Sequence, residues 1–223
     1  GLVHDYRMAE AIAKAGYHGV RRTPLEAPLH DLFFSRNHAY AMGTSRPPAD
    51  GSPEGQVVNL DVRRKIATLP IAGLSRLGAG ISFEWNGTRV QASPNLREGV
   101  VGVIDMKTWK RVKDIATPGP GVFLRSHDAT PYAWVDSMTS SAADNVLTVI
   151  DKRTLETVAS VKGPPGQTLA HVEFTQDGRY ALASLRESDG TLIVYDAATF
   201  EEIKRLPMKK PAEKYNIFNS TAR

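Results

Sequence analysis

Short apolar runs separated by turn residues recur along most of the chain, and the clearest unit spans 170–207. Val172–Phe174 and Tyr180–Leu185 are β-prone runs joined by the turn Gln176-Asp177-Gly178. Leu192–Tyr195 reads as a third strand after Ser188-Asp189-Gly190. Glu202–Leu206 reads as a fourth, after a turn at Asp196 whose carboxylate is placed to accept from its own turn backbone. Four antiparallel strands in about 40 residues is the size of one propeller blade.

The third strand and its turn recur three times upstream. They read VVNLDVRRKIATL around Asp61, VGVIDMKTWKRV around Asp105, LTVIDKRTLETV around Asp151 and LIVYDAATFEEI around Asp196, at intervals of 44, 46 and 45 residues. A fixed period with matching turn chemistry is a repeat signal. It predicts an all-β fold, a β-propeller segment of four four-stranded blades at about 28–72, 73–117, 118–163 and 164–208. Residues 1–27 read as a linker from an upstream part, with a short helix in Arg7–Lys14 stopped by Gly16. Residues 209–223 read as a tail with a short closing strand in KYNIFN. The four blades are expected to form an open arc whose end faces expose apolar surface.

Aligning the blades on their first hairpins adds positional information. Phe34, Phe83, Ser126 and Phe174 share one first-strand position, and Asn37, Asn86 and Asp177 share the turn. The first strand of a propeller blade is innermost, so one end of it meets the central channel on the same face as the loop after the second strand. His30/Asp31, Ala79/Gly80, Val122/Phe123 and Ala170/His171 occupy that mouth, with Arg46, Asn95, Met138 and Arg186 at the start of the second loop. Arginines at a channel mouth are candidate carboxylate clamps, because guanidinium matches a carboxylate in bidentate geometry. An imidazole there can carry protons near neutral pH. His127 falls at the opposite end, in or beside a first-hairpin turn.

Composition narrows the reading further. The 223 residues are 41% apolar, enough for a packed core. There is no apolar run long enough for a membrane span. The absence of cysteine excludes disulfides, thiolate metal sites and a CxxCH heme attachment within these residues. A net charge of +4 favours anionic ligands weakly and does not suggest nucleic acid. No His/Asp/Glu cluster has a recognised metal-binding spacing, and no nucleophile elbow or phosphate loop occurs. The start at Gly1 reads as a processing point or a cut.

LHDLFF, GAGISF, GPGVFLRSHDATPYAWVD, HVEFTQDGRYALAS and the terminal KYNIFN together resemble the heme d1 propeller family. That domain occurs in cytochrome cd1 nitrite reductase and in its relatives of heme d1 biosynthesis, NirF and NirN. The resemblance implies an eight-bladed ring of which this chain is the C-terminal half, with the missing N-terminal half as partner and holder of the iron's axial ligand. It implies heme d1 or its tetrapyrrole precursor as cofactor, a periplasmic location and a role in denitrification. His30 then matches a distal-pocket histidine and is the catalytic candidate. Arg46, Arg76, Gly80, Phe123, His171 and Arg186 are the cofactor-binding candidates, the arginines for tetrapyrrole carboxylates.

Two departures bear on the branch. The reductase's second distal histidine lies in a His-Pro-Gly-Arg-Gly stretch, where this chain has Ser75-Arg76-Leu77-Gly78-Ala79-Gly80. A reductase tryptophan is matched by Arg186, and a reductase glutamine by His171. These favour the biosynthetic branch. Nitrite reduction, with electrons from a c-type cytochrome domain, is the second reading, and a cofactor-free scaffold propeller the third.

Overall fold

The computed structural model describes residues 23–25, 29–45, 55–71 and 74–211. The early helix and the closing strand expected at the two ends lie outside them. Every sheet is a four-stranded antiparallel meander in chain order. Blade 1 contains β1 (Leu29–Phe34), β2 (Tyr40–Ser45), β3 (Gly55–Asn59) and β4 (Arg64–Leu69). Blade 2 contains β5 (Ile81–Trp85), β6 (Thr88–Pro94), β7 (Val100–Asp105) and β8 (Arg111–Ala116). Blade 3 contains β9 (Leu124–Ser126), β10 (Tyr132–Asp136), β11 (Val146–Asp151) and β12 (Glu156–Lys162). Blade 4 contains β13 (Leu169–Phe174), β14 (Tyr180–Leu185), β15 (Thr191–Asp196) and β16 (Glu202–Pro207). Before blade 2 the chain makes a single 3-10 turn, Leu77–Ala79.

The first hairpins share one register. Phe34 pairs with Ala41, Phe83 with Val90, Ser126 with Ala133 and Phe174 with Ala181, so one alignment holds through all four blades. The third-strand turns also repeat, with one correction to the sequence reading. In blades 2 to 4 the carboxylates of Asp105, Asp151 and Asp196 accept backbone N–H groups two residues on, at 2.7, 2.7 and 2.8 Å. In blade 1 the same work is done by Asn59, whose Oδ1 accepts from Asp61 and Val62 at 2.9 and 3.1 Å. The repeat mark is therefore Asn59, not Asp61, and Asp61 sits exposed in the turn. An amide oxygen accepts these bonds as a carboxylate oxygen does, so a pattern built on Asp alone slips by two residues.

Four residues after each cap the chain turns left-handed, at Arg63, Trp109, Leu155 and Phe200. A non-glycine side chain adopts that backbone at a cost, so packing has to favour it. Trp109 meets Tyr40 of blade 1 edge to face at 5.3 Å, and Phe200 meets Tyr132 of blade 3 at 4.8 Å. Leu155 is fully buried in the cluster between blades 2 and 3. Each of these residues fastens its blade to the preceding one. Arg63, in blade 1, is exposed.

Alternate residues of each sheet face one neighbour, the period that makes flat blades stack. Met42, Val57 and Leu69 meet Ile104 and Met106 between blades 1 and 2. Val90, Ala92 and Val103 meet Leu124, Val135 and Ile150 between blades 2 and 3. Trp134, Leu147 and Val149 meet Leu169, Phe174 and Ile193 between blades 3 and 4. Among the described residues no apolar cluster joins blade 4 back to blade 1. Leu32 and Phe34 remain 47% and 49% exposed on the free face of blade 1, and β16 is exposed throughout. The four blades therefore form an arc of a propeller. No helix of the described residues is long and apolar enough to cross a membrane.

Candidate functional site

The innermost strands start irregularly, and those irregularities build the site. In β1 the ladder slips between Leu29 and Asp31, placing His30 in a bulge. In β13 it slips between Ala170 and Glu173, and His171 takes a left-handed backbone with φ +55°. Adjacent residues of a regular strand point to opposite faces, and in β13 the bulge takes the His171 side chain out of that alternation.

His171 is re-aimed onto Phe123. Their rings lie 4.3 Å apart, centroid to centroid, tilted by 41°. Two guanidinium groups lie over the same Phe123 ring, Arg76 at 5.0 Å and Arg125 at 5.3 Å from its centroid. Such cation–ring contacts each contribute about 0.5–1 kcal/mol at partly open sites. Arg76 comes from the turn before blade 2, Phe123 and Arg125 from blade 3, and His171 from blade 4. Phe123 thus gathers three segments at one mouth.

Hydrogen bonds fix the surroundings. Arg125 donates from Nη1 to the carbonyls of Ala79 (3.1 Å) and Leu124 (3.0 Å), and its Nε lies 3.7 Å from Oε2 of the nearly buried Glu173. Asp31 accepts the Gly78 N–H at 2.8 Å and so anchors the Leu77–Ala79 turn. Gly80 ends that turn, where an added Cβ would stand 2.3 Å from the Ala92 carbonyl oxygen. Only a residue without a side chain lets the turn lie this close to β6. Asp136, 1% exposed, accepts the N–H groups of Val122 at 2.8 Å and Phe123 at 3.3 Å. Burial pushes its carboxyl up to about 6, although backbone donors from Val122, Met138, Phe123 and His171 pull the other way.

The opposite end of the inner strands holds a cleft of about 460 Å³ lined by Arg36, Phe83, Arg89, Asp128 and Lys152. Its cations are already engaged. Arg36 pairs with Asp128, Arg89 with Glu84, and Lys152 donates to the His127 carbonyl at 3.1 Å. His127 itself accepts the Ala129 N–H through Nδ1 at 3.0 Å, a turn residue bonded locally. The aromatic and guanidinium cluster at the other mouth is the better-equipped binding site.

The sequence matches the cytochrome D1 heme domain over residues 14–220. The chain belongs to that family. It is 46% identical over 191 residues to the dihydro-heme d1 dehydrogenase of Pseudomonas aeruginosa, covering 86% of this chain and 38% of that protein. A solved structure of the dihydro-heme d1 dehydrogenase NirN in complex with DHE superposes with a TM-score of 0.84 at 43% identity, over 91% of this chain and 42% of that one. The hydrazine synthase of Kuenenia stuttgartiensis shares the fold at 15% identity and a TM-score of 0.62, over 86% of this chain and 52% of that one. The chain thus spans about two fifths of the dehydrogenase's length.

Within this D1 heme domain segment the structure brings Arg76, Phe123 and His171 into contact and sets Gly80 beside them. Arg186 lies at the same end, just past β14, where its backbone N–H reaches the Thr168 carbonyl at 3.2 Å. Its Nε is buried with no hydrogen-bond partner. A buried guanidinium N–H left without an acceptor is costly, and a ligand carboxylate would relieve that cost. Aromatic faces, several arginines and this open donor fit a flat macrocycle bearing carboxylates. Arg46 lies outside the described residues, and His30 is placed by its backbone in β1. Among the described residues no group of three or more His, Asp or Glu is arranged to hold a metal ion.

Sequence reasoning missed Arg125 and Asp136, and named Glu173 only as a neighbour that could fix the tautomer of His171. Arg125 lies in a three-residue strand too short to show alternation. Glu173 is buried together with the whole of β13.

Proposed function

We propose that this D1 heme domain segment is the C-terminal half of an eight-bladed heme d1-type propeller that binds a dihydro-heme d1-type tetrapyrrole and takes part in its dehydrogenation during heme d1 biosynthesis. The observation that carries the reading is the Phe123 platform, with His171 packed against it at a tilt and Arg76 and Arg125 over its ring. The 46% identity to a dihydro-heme d1 dehydrogenase supports the biosynthetic branch over nitrite reduction. The missing N-terminal blades would cover Leu32 and Phe34 and supply the axial ligand. The reading extends to a periplasmic location, which the family resemblance implies.

The tetrapyrrole would supply the redox-active ring system. This chain's residues bind and orient it. Phe123 and His171 offer stacking faces, and Arg76, Arg186 and Arg46 offer charge to its carboxylates. A dehydrogenation removes two protons and two electrons. A c-type cytochrome domain is the candidate electron acceptor, and His30, whose ordinary pKa is about 6.5, is the candidate proton acceptor.

Mixing the full-length protein with dihydro-heme d1 should shift the pigment's absorption spectrum; an unshifted spectrum at high protein concentration would sink the proposal. Arg76→Leu, Arg186→Leu and Arg46→Leu should each weaken binding by about 1–3 kcal/mol in a titration, the range for a hydrogen bond to a charged group. Unchanged affinity in all three would make them solvated surface groups.

His30→Ala should keep tetrapyrrole binding and lose most turnover, whereas His127→Ala, at the opposite end, should turn over nearly as fast as the parent. A dead His127 variant beside a fully active His30 variant would show that the proton acceptor is elsewhere.

A further inference from the structure

The aromatic pair at the mouth stands on backbone that is not held by the strand ladders alone. The segment before β9 has no regular pairing up to Leu124, and His171 lies in a bulge with a left-handed backbone. One buried side chain reaches both. Asp136, the last residue of β10, accepts the N–H of Val122 at 2.8 Å through Oδ1 and that of Phe123 at 3.3 Å through Oδ2. Its own N–H returns to the Phe123 carbonyl at 3.3 Å, and the backbone N–H of His171 in the next blade faces its carboxylate and favours the charged form. A third donor, the Met138 N–H, lies 3.5 Å from Oδ1.

We infer that Asp136 is a positioning residue for the tetrapyrrole site: its carboxylate fixes the backbone of Phe123 in blade 3 beside the facing backbone of His171 in blade 4 and so holds the two rings in the tilted contact that receives the ligand. The inference rests on the tetrapyrrole-binding reading and deepens it. A carboxylate suits the task because it has two oxygens and no hydrogen, so it accepts from several N–H groups at once. No cationic side chain is needed as partner, since the backbone dipoles supply the positive ends. The loop also lies close against the backbone of Asp136 itself. An added Cβ on Gly121 would stand 2.0 Å from the Asp136 carbonyl oxygen, so the 121–123 segment lies directly against β10.

Asp136 has no reason of packing to be acidic. It is buried among backbone groups, where an apolar residue of similar size would be the ordinary choice. A satisfied buried carboxylate makes sense where a particular backbone shape must be kept. Here that shape aims Phe123 at His171.

The test uses the full-length protein and dihydro-heme d1, with affinity read by titration and pigment environment by the absorption spectrum. Asp136→Asn keeps the size and offers an amide hydrogen where a second acceptor is required. It should fold, bind roughly tenfold to a hundredfold more weakly, and give a displaced absorption band in the bound pigment. The loss should vanish in a Phe123→Ala background, because a residue acting through Phe123 has nothing left to position. Additive losses would show that Asp136 is a general structural residue and overturn the inference. So would parental affinity and an unmoved band in Asp136→Asn. If that variant does not fold, Gly121→Ala pushes the same segment away from Asp136; equal affinity in a folded Gly121→Ala protein would equally overturn it. Parental protein that fails to bind the pigment at all would instead defeat the tetrapyrrole reading, so the two failures are distinct.

Discussion

Trp134→Ala should destabilise the protein by about 3–5 kcal/mol, the range for removing a large aromatic side chain from a packed interior. Trp134 is fully buried at the junction of blades 3 and 4, with Tyr195 at 5.8 Å and Phe200 at 5.7 Å between ring centroids. Phe200 is held there by its left-handed turn, so the cavity would open under a strained residue. Whole domains are stable by only about 5–15 kcal/mol, so this single change threatens the attachment of blade 4. Urea unfolding monitored by circular dichroism would measure it. Trp134→Phe should recover most of the loss, because the indole Nε1 has no hydrogen-bond partner to forfeit. A loss below about 1 kcal/mol in the alanine variant would mean that the blade 3–4 junction is not the packed core described above.

The second large effect concerns pH. Asp136 ionises near 6 in the folded protein against an ordinary 3.8, because burial opposes its charge. A raised folded value means that the native state holds the proton more tightly than the unfolded chain. Its contribution to stability is therefore full below about pH 3.8 and is lost as pH rises through 6. The gap corresponds to about 3 kcal/mol between those limits. Asp105, Asp151, Asp196 and Glu202 act in the opposite sense, since hydrogen bonds hold their carboxyls below the usual range and their stabilisation is lost on acidification. The net profile mixes both, so the quantity to measure is the difference between parent and Asp136→Asn at pH 4 and pH 7. The parent should lose stability relative to the variant as pH rises. A difference that does not change with pH would show that Asp136 titrates as an ordinary exposed carboxylate.

The repeat was legible in the sequence because turn chemistry and strand alternation are local. Asp105, Asp151 and Asp196 announce their turns by accepting N–H groups only two residues away. Phe34, Phe83, Ser126 and Phe174 share a register because each first hairpin closes over the same number of residues. The Asn59 turn was misplaced because asparagine and aspartate are equivalent acceptors there. From that periodicity the blade alignment also sets Gly80, Phe123, His171 and Arg186 at one end of the inner strands.

The contacts themselves belonged to the tertiary structure. Whether Arg76 reaches Phe123 depends on how the blade 1–2 turn folds over blade 3, and 47 residues separate them. Whether His171 faces Phe123 depends on a bulge, and no strand period predicts one. Asp136 reads in sequence as the end of an apolar strand; only the folded chain brings the N–H groups of Val122, Phe123 and Met138 to its carboxylate. Sequence by itself determined the blade, its period and its channel-facing end, since these follow from interactions spanning a few residues. Only the stacking of blades decided which side chains meet, because burial and hydrogen bonding between segments distant in the chain are properties of the packed arc.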